Sequence, residues 1–388
     1  MSIRLPSADG GLRVHEPCTD PLRPLTFPPA RSRRFYSAAH VVADPTATRA
    51  GTGTGTGPVV DWEATLAFRH RLWAQGLGVA EAMDTAQRGM GLDWPAAAEL
   101  IRRSAADALA AGGRIVCGAG TDQLPRGEHT LAVIIAAYEE QLAHVEACGA
   151  PAVLMASRAL AGAARGPEDY LEVYGRLLRQ SARPVVLHWL GPMFDPELAG
   201  YWGHHGLDEA TEVFLKIIAE YPDKVDGVKV SLLEADREVD LRRRLPATVR
   251  CYTGDDYHYP ELIAGDGQHA SDALLGIFDP IAPLAARAAA ALDRGDSAGF
   301  RALLDPTVGL SRHLFAPPTR YYKTGVVLLA WLAGYQDHFA MVGGLESARS
   351  LLHLATAYAQ ADLLGLFPDP ARAEDRMRSL LALHGVAS

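Results

Sequence analysis

Two hydrophobic periods alternate along most of this chain. Apolar positions recur every three to four residues, as on one face of a helix, at 62–75, 95–110, 127–148, 167–180, 207–220, 234–245 and 260–265. Between these stretches lie short, nearly continuous apolar runs bounded by turn residues, at 78–83, 114–118, 152–156, 184–189, 225–231, 248–253 and 270–278. Runs of that kind predict strands covered on both faces, and strands that alternate with helices predict a parallel sheet. With the apolar run 34–42 there are eight strands in about 250 residues, the size of a (β/α)₈ barrel.

The ends of the chain differ from this middle. Residues 1–30 are proline-rich and polar, with a turn at Ala8-Asp9-Gly10-Gly11, and read as an arm. After Pro280 only the helical period remains, at 284–294, 299–304, 322–339, 347–366 and 371–383, separated by proline and glycine breaks. The expected organisation is an α/β barrel over 31–283, with an N-terminal arm at 1–30 and a C-terminal helical extension at 284–388. The repeat Gly51-Thr52-Gly53-Thr54-Gly55-Thr56-Gly57 lacks the GxGxxG spacing of a dinucleotide loop and no strand feeds it, so it reads as a connector.

Composition narrows the partners. With 388 residues, 48% hydrophobic and 21% charged, the chain can bury a large core. A net charge of −9 and dispersed arginines, with no basic stripe, argue against a nucleic-acid partner. The longest apolar run, 326–333, is too short to span a bilayer, and residues 1–30 lack a basic-then-apolar leader pattern, so a cytoplasmic protein with no membrane partner is expected. The four cysteines, Cys18, Cys117, Cys148 and Cys251, are widely spaced and suggest neither a disulfide framework nor a zinc knuckle.

The candidate chemistry starts from a lysine. Only four of the 37 Lys and Arg residues are lysines (Lys216, Lys224, Lys229 and Lys323), and Lys229 lies inside the apolar run Val225-Asp226-Gly227-Val228-Lys229-Val230-Ser231. An ammonium there is costly unless it is paired or deprotonated, and a desolvated lysine is a nucleophile that can form a Schiff base. The plainer alternative is a strand-end lysine paired with a carboxylate.

A barrel gathers its site at the carboxyl ends of its strands. The polar residues closing the runs are His40, Asp44, Glu81, Asp84, Thr85, Thr121, Asp122, Ser157, Arg158, His188, Lys229, Ser231, Asp255, Asp256 and Asp279. Lys229 with His188 supplies an imine-forming amine and a proton shuttle, the two groups a class I aldolase needs, with no cofactor beyond the covalent imine. Two alternatives remain open. His40, Glu81, His188, Asp255 and Asp279 are also candidate ligands for a divalent cation, as in a metal-dependent sugar isomerase, or the barrel binds a ligand without turnover.

The order of motifs resembles the dihydrodipicolinate synthase and N-acetylneuraminate lyase superfamily, in a longer dihydrodipicolinate synthase-like branch. Gly227-Val228-Lys229 is similar to its G-I-K, Thr253-Gly254-Asp255-Asp256 to its S-G-D-D, and Gly118-Ala119-Gly120-Thr121 stands where its A-G-T-G is found. The resemblance covers about residues 34–290 and implies Lys229 as the Schiff-base lysine of a lyase that forms homo-oligomers. Three departures bear on substrate. Met83-Asp84-Thr85-Ala86-Gln87 replaces the G-T-T-G-E that receives a 2-oxo acid carboxylate, His188 replaces the relay tyrosine of Y-N-V-P, and Ser157-Arg158 replaces paired tyrosines. The expected substrate is a small carbonyl compound: an aspartate at this position repels a carboxylate and points to a neutral keto sugar, whereas Arg158 as holder of one anionic group leaves a 2-oxo acid open. Lys229, His188 and Asp255 are the expected catalytic groups. Asp84, Thr85, Arg158, Glu81, His40, Asp256 and Asp279 are the expected substrate contacts, and Arg320-Tyr321-Tyr322-Lys323 in the extension either reaches the barrel mouth or lines a subunit interface, the interface being the favoured placement.

Overall fold

The computed structural model describes residues 2–46 and 59–387, so the Gly-Thr connector at 51–57 lies outside the described residues. The chain opens with an antiparallel hairpin, β1 (Ile3–Pro6) and β2 (Leu12–His15), around the turn expected at 8–11. Eight strands follow: β3 (Phe35–Ala38), β4 (Gly78–Glu81), β5 (Ile115–Ala119), β6 (Ala152–Leu154), β7 (Val185–Leu190), β8 (Val225–Ser231), β9 (Arg250–Thr253) and β10 (Asp272–Leu275). They close in the order β10-β3-β4-β5-β6-β7-β8-β9, every neighbouring pair parallel. The fold is the (β/α)₈ barrel with C-terminal helices that the two periods predict.

Local chemistry sets the element ends. Helix Trp62–Ala74 begins where the Asp61 carboxylate accepts the Ala64 N–H at 2.9 Å, and helix Trp94–Ala111 where Asp93 accepts from Ala96 at 3.0 Å. The helix expected from 127 starts at Leu131, capped by Thr130, which frees 125–129 to line a cleft. The strand expected to reach 278 stops at Leu275, because Gly276 to Asp279 forms a turn closed by Asp279 N–H to Gly276 O at 3.2 Å. The extension holds a helix at Val308–Leu314 that the sequence pattern did not predict.

The interior of the ring separates into floor and mouth. Tyr36, Ala38, Ala80, Val116, Val153, Val186, Tyr252 and Leu274, with Met83 and Met155, form one cluster of buried side chains. Strand residues alternate faces, so Gly227, Lys229 and Ser231 of β8 share one face. The parallel register sets Gly227 beside Val186 and Lys229 beside Tyr252, both members of that cluster. Glycine is required at 227, since a Cβ there would lie 2.6 Å from Tyr252 Cε2 and 2.8 Å from Arg250 O. Among the described residues no helix is long and apolar enough to cross a membrane.

Candidate active site

Parallel pairing of β7 with β8 sets His188 directly beside Lys229. Both side chains are buried, with Lys229 8% exposed and His188 fully enclosed, and Lys229 Nζ lies 3.2 Å from His188 Nε2. The same imidazole nitrogen is 3.2 Å from Ser231 Oγ, and His188 Nδ1 has no partner among the described residues. Burial lowers the Lys229 pKa below the ordinary lysine value, while the negative charges of Asp84 and Asp256 oppose that shift. Burial and then the neighbouring amine hold the His188 pKa well below its usual value, which favours neutral imidazole. A neutral imidazole against an amine of reduced basicity is able to pass a proton either way.

The backbone comes unusually close to this pair. A Cβ at Gly254 would lie 2.2 Å from Ser231 Oγ and 3.0 Å from Lys229 Cε, so the glycine of Gly254-Asp255-Asp256 is there to let β9 lie against the lysine stem. The chain then turns Asp256 into the site. This carboxyl is buried, accepts the Ile277 N–H at 2.9 Å, and has its pKa raised by desolvation.

Two cavities adjoin at Asp84, and the smaller one reaches the amine. A small one of about 20 Å³, room for about one water, is lined by Lys229, Ser231, Asp84, Thr85, Asp256 and Tyr322 among others. A cleft of about 450 Å³ is lined by Asp84, Arg88, Thr121, Ser157, Arg158, His188 and Asp195 among others. Asp84 and Leu190 border both. The half-buried Asp84 carboxylate makes no hydrogen bond or ion pair with any described residue, although it acts electrostatically on Lys229, Lys323 and Arg158.

Of the residues expected in the site, the fold brings together Lys229, His188, Asp84, Thr85, Asp256 and Arg158. Four others border neither cavity. Glu81 is locked in a fully buried pair with Arg69, at 2.8 and 2.9 Å, and also accepts the Ala82 N–H. His40 and Asp279 bind each other at 2.8 Å, and His40 Nε2 lies 3.1 Å from Gln336 Oε1. Asp255 accepts the backbone N–H groups of Tyr257 and His258 and pairs with the His258 ring at 2.9 Å, so it shapes the loop after β9 while Asp256 faces the amine. With these groups engaged elsewhere the set proposed for a divalent cation does not converge, and among the described residues no group of three or more His, Cys, Asp or Glu could hold one.

The structure also supplies groups the sequence reading did not place. Tyr322 lies in the barrel mouth, contrary to the favoured placement at an interface: its ring stacks on Phe315 at 4.2 Å and its hydroxyl bonds Thr85 Oγ1 at 2.7 Å. Gly276 makes room for both rings, since a Cβ there would sit 3.0 Å from Phe315 and 3.1 Å from Tyr322. A phenol therefore stands beside the candidate lysine after all, from the extension and not from the position the resemblance suggested. Neighbouring Lys323 is buried, donates to Arg320 O at 3.0 Å, and has its pKa pushed down to about 8 by desolvation, yet it borders neither cavity. Arg88, also missed, ties the loop after β4 to Asp122, to Gln141 and to the Ala82 and Gly118 carbonyls. Its only sequence signal was an arginine three residues beyond Thr85 in a strand-end loop.

These features define the class as a parallel (β/α)₈ barrel with a buried amine at its mouth. The sequence matches the family described as "Protein of unknown function (DUF993)" over residues 3–386, and the chain belongs to that family. No curated protein matches it. Among solved structures it is similar to dihydrodipicolinate synthase from Aquifex aeolicus, at 14% identity and a TM-score of 0.61, covering 91% of this chain and 98% of that one. The enzyme from Thermotoga maritima gives 14% identity and 0.60 over 92% and 100% of the two chains. That from Bacteroides thetaiotaomicron gives 16% and 0.61 over 81% and 92%. At such identities the likeness establishes the shared fold, in agreement with the resemblance drawn from the motifs.

Proposed function

We propose that this protein is a Schiff-base-dependent lyase of the class I aldolase type, acting on a small carbonyl compound. The observation that carries the reading is Lys229: a buried amine of lowered pKa, 3.2 Å from a histidine nitrogen, bordering a cavity that shares Asp84 with an open cleft. The neutral amine attacks the carbonyl carbon, and the oxygen takes a proton as the nitrogen loses one. Protonation of the resulting hydroxyl releases water and leaves an iminium. The carbon-carbon bond beyond the α-carbon then breaks, its electron pair moving onto the iminium as an enamine while the departing hydroxyl gives up its proton. Protonation of the enamine and addition of water free the product and restore the lysine.

His188 serves as the proton shuttle at nitrogen, and the Thr85-Tyr322 hydroxyl pair, which lines the same small cavity as Lys229, holds a second exchangeable proton. Asp256 steadies the charge that appears on Lys229. In the cleft, Asp122, Asp195 and Glu197 face Arg88, Arg158 and Arg126, which leaves Asp84 as the carboxylate without an ion pair among the described lining residues. That favours a polyhydroxylated neutral carbonyl compound such as a keto sugar, whose hydroxyls donate to Asp84, over a 2-oxo acid.

Borohydride reduction in the presence of keto sugars and 2-oxo acids, followed by peptide mass mapping, tests this. The expected result is a reduced adduct on Lys229, formed with a keto sugar and absent from Lys229→Met. An adduct on Lys323 alone, or none with any carbonyl compound, refutes it. Adduct formation without turnover would instead indicate a binding barrel.

A further inference from the structure

At the opposite end of the barrel, where β9 and β10 begin, a second recess of about 600 Å³ opens beside the end of helix Ala235–Arg244. That is within the size range of small-molecule sites. Its charge runs against that of the chain. The protein carries a net −9, yet among the described lining residues Arg33, Arg242 and Arg250 face one carboxylate, Asp272, with Asp266 and the buried Glu238 behind Arg242.

The lining carboxylate is already satisfied. Asp272 Oδ1 accepts the Arg34 N–H at 2.7 Å and Oδ2 accepts from Arg250 at 3.0 Å. Arg242 is the deepest of the three arginines, 7% exposed, and donates through Nη1 to Leu262 O at 2.9 Å and Ser271 Oγ at 3.3 Å. Its Nη2 makes no hydrogen bond with any described residue, since Asp266, 3.6 Å away, is held at 2.8 Å by Arg243, while its Nε–H is fully enclosed and out of reach of the recess. An unpaired guanidinium donor in the wall of a recess with surplus positive charge calls for an acceptor from outside the chain. Arg33, half-buried, and Arg250, exposed, stand nearer the surface.

We propose that this recess binds a small-molecule oxyanion, either a phosphate ester or a carboxylate, with Arg242 as the buried donor and Arg33 and Arg250 at the rim. The site lies at the strand ends remote from Lys229, so it stands or falls independently of the lyase reading.

The test is titration of the full-length protein with inorganic phosphate at constant ionic strength, followed by ³¹P line width, with citrate as competitor. Saturable binding is expected, weakened at least about ten-fold, the effect of one lost charged hydrogen bond, in Arg33→Gln and Arg242→Gln and unchanged in the cleft variant Arg158→Gln. Displacement by citrate identifies a carboxylate site, and its failure to displace a phosphate site. Among the described residues Arg33 makes only backbone hydrogen bonds, to Ser32 O and Ile263 O, so Arg33→Gln keeps the test decisive if Arg242→Gln does not fold. Absence of saturation, full affinity in Arg33→Gln, or loss of binding in Arg158→Gln instead overturns the proposal.

Discussion

Replacing Gly254 by alanine probes the candidate site without removing a titratable group. The added Cβ would meet Ser231 Oγ at 2.2 Å, Val230 O at 2.9 Å and Lys229 Cε at 3.0 Å. The serine hydroxyl is able to rotate away, at the expense of its 3.2 Å contact with His188. The Val230 carbonyl belongs to β8 and already accepts the Gly254 N–H at 2.7 Å, so relief there requires the two strands to separate. Overpacking of this kind costs about 1–3 kcal/mol, and a displacement of about 1 Å at a reacting group lowers its rate by about 100-fold. Gly254→Ala should therefore lower the urea midpoint and slow borohydride trapping far more than stability alone explains. Ser231→Ala removes the 2.2 Å contact but not the clash with the carbonyl, so the double variant should recover only part of the stability. A Gly254→Ala protein with an unchanged midpoint and an unchanged trapping rate would falsify the close approach of β9 to Lys229 and the argument built on it.

Three further outcomes follow from the same geometry. Asp84 and Asp256 favour the charged form of Lys229, so Asp84→Asn should move the acid limb of the trapping rate to lower pH; a limb that stays in place removes Asp84 from the amine's surroundings. The Asp256 pKa is raised in the folded protein, so the native state binds more protons than the unfolded chain and stability falls as pH rises from the ordinary carboxylate range to about 7; Asp256→Asn should flatten that slope in urea titrations. Arg69→Met leaves the Glu81 carboxylate buried without its partner, and chemical denaturation should register a loss of about 3–5 kcal/mol.

How far the site was legible depended on the range of the interactions. Lys229 and His188 were visible because each interrupts an apolar run, and parallel pairing of consecutive strands makes their meeting a local consequence of the (β/α)₈ pattern. Asp84, Thr85 and Arg158 were visible for the same reason, since strand-end positions converge in any such barrel. The choice between Asp255 and Asp256 was not legible, because it depends on which carboxyl the turn after β9 directs inward. Nor was the engagement of Glu81 by Arg69, or of His40 by Asp279, pairs that join separate segments of the chain. An interface was favoured for Tyr322 for a related reason: its contact with Thr85 spans 237 residues and depends on the extension folding back over the mouth beside Gly276.

The sequence by itself determined the order of strands and helices, the closed parallel barrel and the identity of the one lysine set within a strand, because periodicity and desolvation act over a few neighbouring residues. Only the tertiary structure decided which polar groups face that amine and which are locked into partners of their own, because burial and hydrogen bonding are settled by residues far apart in the chain.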